Sequence, residues 1–127
     1  MFGRKKPKLT KKDLRWNRFI EEICFRELDT LSEIQKKAVL CFWYDAEVNN
    51  NGHDGYFDCY PEVNPQELIV AIETVSYKAI ADNYQKAVSD QSEENLEETD
   101  NAFYNFSPSL CDCLMEYVER NKDEIFN

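Results

Sequence analysis

Apolar positions recur at helical spacing along most of this 127-residue chain. Near the N-terminus the pattern follows Thr10 and includes Leu14, Phe19, Ile20, Ile23 and Leu28. It predicts a helix with Thr10 as its N-cap. Ser32 and Gln35 have the spacing of a capping box, which predicts a second helix that runs to about Glu47.

Turn-forming residues follow that second helix. The run Asn-Asn-Asn-Gly at 49–52 predicts a helix end, because Asn and Gly tolerate the left-handed backbone of a C-terminal cap. We therefore predict a loop over residues 47–60, which we call the motif segment. In this interpretation Tyr56, Phe57 and Tyr60 anchor the loop on the helices, and residues 55–60 contain a short extended piece.

The later part of the chain has two further helix-start signals. Asn64-Pro65 and Ser107-Pro108 each place a capping side chain before a proline. The first predicts a helix over residues 65–89, broken near Ser76. The second predicts a final helix, whose apolar face carries Leu110, Leu114, Tyr117 and Val118.

Residues 90–100 are rich in acids and contain no base, which predicts a solvated loop that leads into a short helix. No segment shows sustained alternation of apolar and polar residues. The predicted fold is all-α, a single compact domain of about five to seven helices over residues 13–127. A basic and flexible arm, residues 1–12, is predicted to precede it.

Charge is divided unevenly along the chain. The formal net charge is -10. Residues 1–18 contain eight basic residues and one acid, whereas residues 19–127 contain seven basic and 24 acidic residues, a balance of -17. Such an anionic body is not expected to bind nucleic acid directly. It is typical either of a solvated surface or of one that imitates the spaced charges of DNA.

Few residues have the spacing of catalytic or metal-binding motifs. With one His and five Cys at irregular spacing, we predict reduced thiols, no metal site and no cofactor. A calcium loop would use Glu47, Asn49, Asn51 and Asp58, but it would open with Glu and close with Asp, against the usual pattern. An acid–base site of His53 with Asp54 or Asp58 is another alternative. We predict no enzymatic activity.

The N-terminus is basic but has no apolar stretch after it, and no segment is long and apolar enough to span a membrane. We therefore predict a cytoplasmic protein.

Several motifs together resemble one family. The pattern AxxxFWYDAEVNNNGxxxYF at 38–57 is followed by NPQELIVAIETVSYKAIADNYQKAVS at 64–89, DxxFY at 100–104 and LxEYVERNKDEIF at 114–126. This order is similar to that of the bacterial DNA-mimic protein family and covers about residues 30–127. The resemblance implies an all-helical domain. One member of the family is understood as a dimer whose acidic surface binds a transcriptional regulator in place of DNA.

The resemblance also assigns roles to residues of this chain. The positions that match the family motif are expected to maintain the architecture of the motif segment; they are Glu47, Asn49, Asn50, Gly52, Tyr56 and Phe57. Here Asn51-Gly52-His53 stands where the family usually has paired Gly and then Phe, and Gly55 stands in place of a Gln.

The leading hypothesis is a non-enzymatic interaction protein with a basic protein partner, such as a transcriptional regulator, and with a homodimer as one form. The acids predicted to contact the partner are Glu93, Glu94, Glu97, Glu98 and Asp100. One alternative is an immunity-type inhibitor of a cationic toxin or nuclease. Another is a small-ligand binder or enzyme that uses the motif segment, with Glu47, Asn50, His53, Asp54 and Tyr56 in one pocket. A further alternative is tethering to nucleic acid or a membrane through the basic arm.

Overall fold

The computed structural model describes residues 8–93 and 96–127, and this part of the chain forms seven α-helices and no β-strand. The helices are α1 (Lys11–Arg18), α2 (Glu33–Cys59), α3 (Pro65–Val75), α4 (Lys78–Asp90), α5 (Glu97–Asn105), α6 (Leu110–Arg120) and α7 (Lys122–Ile125). A π-helical turn, Phe19–Ile23, continues α1, and short 3₁₀ turns span Leu28–Thr30 and Gln91–Glu93. The all-α prediction is confirmed.

Three predicted helix starts are confirmed. Thr10, Ser32 and Asn64 cap α1, α2 and α3, and each side-chain oxygen accepts a hydrogen bond from a backbone N–H of the first turn at 2.9–3.2 Å. These bonds satisfy N–H groups that have no partner inside the helix. The predicted break near Ser76 is also confirmed, because α3 ends at Val75 and α4 begins at Lys78.

The predicted loop over the motif segment is wrong. Helix α2 continues through these residues to Cys59, with one non-helical residue, Gly52, at a kink. The predicted extended piece at 55–60 is therefore wrong as well. The Asn-Gly run changes the direction of the helix instead of ending it, since residues 53–59 return to helical geometry immediately after Gly52.

The predicted cap of the final helix is displaced by two residues. Ser109, not Ser107, caps α6, and its hydroxyl oxygen accepts a hydrogen bond from the Asp112 N–H at 3.1 Å. The Ser107-Pro108 pair precedes the cap, with a cis peptide bond between them. The proline therefore lies outside the helix and does not occupy its first turn. The predicted apolar face is correct, because its four residues are all buried.

Helix α2 is the centre of the fold and packs against α3, α5, α6 and α7. Its Tyr44 side chain is fully buried, and the Tyr56, Tyr84 and Phe103 rings meet it edge to face at centroid distances of 5.1–5.4 Å. Such pairs add stability beyond their buried area. This aromatic cluster joins α4 and α5 to the residues on both sides of the kink.

Candidate protein-interaction surface

The kink in α2 is built around a close contact between Gly52 and Asp100. Gly52 has φ 71° and ψ -179°, a conformation that is essentially restricted to glycine. A Cβ atom at this position would lie 2.6 Å from the Asp100 carboxylate. Gly52 therefore permits both the change of direction and the approach of α5 to the new helix start.

Asp100 holds the first residue after the kink. Its Oδ1 atom accepts hydrogen bonds from the His53 backbone N–H at 2.8 Å and from His53 Nδ1 at 2.6 Å. The backbone N–H belongs to the first turn of residues 53–59, which we call the post-kink segment. A carboxylate is favourable there, because it meets unpaired N–H groups and the positive end of the helix dipole.

The His53 ring completes a buried chain of hydrogen bonds from α5 to the core. With Nδ1–H donating to Asp100, the Nε2 atom accepts from the Tyr44 hydroxyl at 2.6 Å. Burial lowers the pKa of His53, and Asp100 opposes this shift. Burial also raises the pKa of Tyr44 far above its usual value. We infer a neutral imidazole and a neutral phenol at pH 7.

This geometry does not support the alternative of an acid–base site that pairs His53 with Asp54 or Asp58. Both ring nitrogens already have partners, Tyr44 and Asp100, and the His53 side chain is 0% exposed. Asp54 and Asp58 are exposed on the outer side of the post-kink segment. A soluble substrate therefore has no route to the imidazole in this arrangement. The hydrogen bonds of His53 join α5 to the residues on both sides of the kink, so the network stabilises the kink.

The other residues of the motif segment are divided between the surface and the interior. Glu47 accepts hydrogen bonds from Asn51 Nδ2 at 2.8 Å and from the Cys59 thiol at 3.6 Å, and so ties together the two sides of the kink. Asn49 and Asn50 are exposed, and Asn49 donates to the Asp45 backbone carbonyl at 2.8 Å.

The pocket that the small-ligand hypothesis requires is not formed. Of its five residues, His53 and Tyr56 lie in the interior, whereas Asn50 and Asp54 are exposed at the surface. The calcium interpretation is also unsupported, because its four residues lie on a kinked helix and not on a loop. Within residues 8–93 and 96–127, no group of three or more potential ligand side chains is arranged to hold a metal ion.

The five acids predicted to contact a partner occupy different environments. Glu97 and Glu98 are exposed in the first turn of α5, where Glu98 pairs with Lys86 at 2.5 Å. Asp100 is 24% exposed and binds His53. The side chain of Glu93 and the whole of Glu94 lie outside the described residues. Only part of the predicted set is therefore available at the described surface.

Part of the basic N-terminal region lies on a different group of acids. Lys12 pairs with Glu116 of α6, and Arg15 forms a two-point contact with Glu119, with Nε 2.8 Å from Oε2. The Arg15 guanidinium lowers the pKa of Glu119. Lys12 lies within the predicted arm, but the structure places it in the first turn of α1.

The central role of the Tyr44–His53–Asp100 chain was missed by the sequence analysis. Two features of the sequence pointed to these residues. His53, the only His, directly follows Gly52 at the predicted helix end, and Asp100 is the first residue of the DxxFY pattern. Their meeting depends on α5 folding back onto α2 across 47 residues of sequence. No local pattern reports such a contact.

These features define an all-helical acidic domain with a kinked central helix. A family model described as DMP19-like protein matches residues 29–123, well over half of the chain. The chain therefore belongs to the DMP19-like protein family, and the resemblance found in the sequence is confirmed. Helix α1 and the π-helical turn lie outside the matched residues. A search of curated proteins and a search of solved structures found no match.

No helix in the described ranges is both long enough and apolar enough to cross a bilayer.

Proposed function

We propose that this protein is a non-enzymatic interaction protein that binds a basic, DNA-binding protein in place of DNA. The observation that carries the proposal is the balance of -17 over residues 19–127, in a chain that belongs to the DMP19-like family. Duplex DNA carries about one negative charge per 1.7 Å of its axis. Carboxylates spaced along packed helices offer a comparable series of charges to a cationic protein surface.

The binding surface that we propose lies beside the kink. We call it the kink-side acidic surface, and it comprises Asp54 and Asp58 of the post-kink segment with Glu97, Glu98 and Asp100 of α5. The contact between His53 and Asp100 holds these two elements together. Asp54, Asp58 and Glu97 are exposed and have no ion-pair partner among the described side chains. Their charge is therefore available to a partner.

The acids of α6 are less suited to this role. Glu116 and Glu119 are already paired with Lys12 and Arg15 of α1. A partner would have to displace the basic helix before it could bind there. The kink-side acidic surface has one described ion pair, between Glu98 and Lys86, and that pair is exposed and weak.

The decisive experiment is capture of partners from a lysate of the source organism at low and moderate salt. The baits are the intact chain and a variant that neutralises four exposed acids of the kink-side acidic surface, with Asp54→Asn, Asp58→Asn, Glu97→Gln and Glu98→Gln. A matched control removes the same charge elsewhere, with Glu21→Gln, Asp29→Asn, Asp123→Asn and Glu124→Gln. We expect the intact chain and the control to retain a DNA-binding protein that the first variant loses.

Two further measurements on the captured protein test the mechanism. Its affinity should fall as salt rises, because the contact is electrostatic, and duplex DNA should compete with this chain for it. Capture that is insensitive to salt, or equal retention by both substituted baits, would contradict the proposal. DNA-binding regulators of bacteria work in the cytoplasm, so we expect the complex to form there.

A further inference from the structure

A cavity of about 210 Å³ lies against the post-kink segment, the helical stretch that also carries Asp54 and Asp58 of the kink-side acidic surface. It is bounded by the post-kink segment, the connection that follows it, and the C-terminal end of α4. Four aromatic rings form much of its wall, those of Tyr56, Phe57, Tyr60 and Tyr84. Val88 and Gln91 complete the side toward α4. Tyr56 and Phe57 are the aromatic pair of the family motif, so the motif contributes directly to this cavity.

Two phenol hydroxyls in this wall have no hydrogen-bond partner among the described residues. Tyr56 and Tyr84 are each 1% exposed, yet neither hydroxyl forms a hydrogen bond with the described residues. Among these residues, the side-chain oxygen that is both fully enclosed and unpaired is Asp45 Oδ1. The two phenol oxygens are therefore not fully enclosed. Because both tyrosines line the cavity, their hydroxyls are available to form hydrogen bonds with a group that enters it.

The rings around these hydroxyls form a packed aromatic wall. The Tyr56 ring lies 5.3 Å from Tyr60 and 6.4 Å from Tyr84, and Phe57 lies 6.5 Å from Tyr84. Aromatic rings attract cations through their negative faces. Burial raises the pKa of Tyr84 to about 12, and Tyr56 shifts in the same direction for the same reason. Both hydroxyls are neutral at pH 7 and can accept a hydrogen bond from a cationic donor.

Charge around the cavity favours a positive ligand. No Lys or Arg lines it within the described chain. Glu62 is exposed and lies near enough to contribute to the raised pKa of both Tyr56 and Tyr60, although burial is the larger cause. A positive group in the cavity would meet the aromatic wall and two hydroxyl acceptors, and the nearby charge of Glu62 would attract it. A negative group would meet repulsion and no cationic partner.

The size of the cavity limits the ligand. Pockets for drug-sized ligands and cofactors usually measure about 300–1,000 Å³. At about 210 Å³, this cavity is too small for most of them. It is suited to a single extended side chain, with the attached chain remaining at the surface.

We propose that the cavity formed by Tyr56, Phe57, Tyr60 and Tyr84 binds one cationic side chain, arginine or lysine, supplied by the basic protein partner. This inference rests on the proposed function and deepens it. The kink-side acidic surface provides long-range attraction, which is tolerant of sequence. The cavity adds a short-range contact that selects one side chain in one position.

The first test uses small probes and does not require the partner. N-acetyl-arginine amide is titrated into the full chain, and NMR follows the ring resonances of the tyrosines. N-acetyl-citrulline amide, which has nearly the same shape but no charge, is the control ligand. We expect the arginine probe to shift the Tyr56 and Tyr84 signals in a saturable manner, and the citrulline probe to bind at least tenfold more weakly. Equal shifts from both probes, or shifts spread over the acidic surface without the cavity, would overturn the proposal.

Substitution of single hydroxyls provides the second test. Tyr56→Phe and Tyr84→Phe retain the rings and should each weaken binding of the arginine probe about tenfold or more, since a hydrogen bond to a charged group is lost. Tyr104→Phe is the matched control, because the Tyr104 hydroxyl bonds the Val48 carbonyl at 3.0 Å and does not line the cavity. Equal loss in all three variants would show a general effect on folding and refute a specific site.

Binding of the captured partner to the Tyr→Phe variants distinguishes failure of the cavity proposal from failure of the proposed function. If Tyr84→Phe weakens the partner in the same proportion as the arginine probe, its cationic side chain occupies the cavity. If the partner binds with undiminished, salt-sensitive affinity to both Tyr→Phe variants, the cavity proposal fails while the acidic-surface proposal stands. If no basic partner is captured at all, the proposed function fails, and so does the assignment of the side chain to such a partner.

Discussion

Asp45 allows a quantitative test of the electrostatics inside this acidic domain. It lies on α2 and is 8% exposed, and its Oδ1 atom has no hydrogen-bond partner in the described part of the chain. Burial raises its pKa from the ordinary value of 3.8 to about 6, and the nearby charge of Asp112 adds to this increase. We predict that Asp45→Asn stabilises the protein at pH 7.

The size of the effect follows from the shift in pKa. A carboxyl with a higher pKa in the folded state destabilises the fold wherever it is ionised in both states. The difference between about 6 and 3.8 corresponds to about 3 kcal/mol at pH 7, since each unit is about 1.4 kcal/mol. Asn has nearly the same shape and no charge, so it should recover about 2–3 kcal/mol of this.

The stabilisation by Asp45→Asn should depend on pH in a definite direction. Between about pH 6 and pH 4 the folded protein holds the Asp45 proton while the unfolded chain releases it, so the destabilisation declines as the pH falls. Below about pH 4 both states are protonated and the charge effect is absent. The advantage of Asp45→Asn should therefore be largest at pH 7 and should disappear near pH 4.

Urea unfolding at several pH values between 4 and 7.5 measures this difference directly. Asp123→Asn, at an exposed carboxylate on α7, is the matched control and should change stability by less than about 0.5 kcal/mol. Comparison of each variant with the parent at the same pH cancels the titration of all other groups. A destabilising Asp45→Asn, or a stabilisation that is the same at every pH, would refute the reasoning.

Substitutions at four other positions test the kink and the N-terminal contact. Gly52→Ala should destabilise the fold by about 2–4 kcal/mol in urea unfolding, because its backbone conformation excludes Cβ and the added atom meets Asp100. Asp100→Ala should cost about 2–3 kcal/mol, since it leaves two N–H groups of His53 unpaired, and Asp100→Asn should cost less. In a double-mutant cycle with Ala, Arg15 and Glu119 should couple by less than about 1 kcal/mol, and 1 M salt should reduce this value. The first prediction is contradicted if Gly52→Ala is as stable as the parent. The second is contradicted if the two Asp100 variants lose equal stability, and the third if salt does not change the coupling energy.

The sequence predicted the elements that depend on local chemistry. Capping by Thr10, Ser32 and Asn64 needs only residues two or three positions apart, and all three caps are present. The acidic character of the body also follows from residue counts alone. Such features are encoded within a few residues, so no knowledge of the tertiary fold is needed to find them.

The largest error concerns residues whose conformation depends on distant contacts. Asn and Gly at 49–52 have the local chemistry of a helix end, and an isolated peptide would be expected to stop there. In the folded chain, the Asp100 carboxylate supplies a partner for the next helix start. Helix α2 can therefore continue after Gly52, and His53 and Tyr56, which were expected on a loop, become part of the core.

This dependence on Asp100 also changes how the acidic surface should be tested. Asp100 was selected from the sequence as one of five partner-binding acids, but its carboxylate holds His53, which in turn contacts Tyr44 in the aromatic cluster. Neutralising it would alter the kink and the neighbouring cavity together with the surface charge. A loss of partner binding in an Asp100 variant would therefore not distinguish charge mimicry from a change of shape. Glu97 and Glu98 have no such role in the described core, and substitutions there separate the contribution of charge from that of the fold.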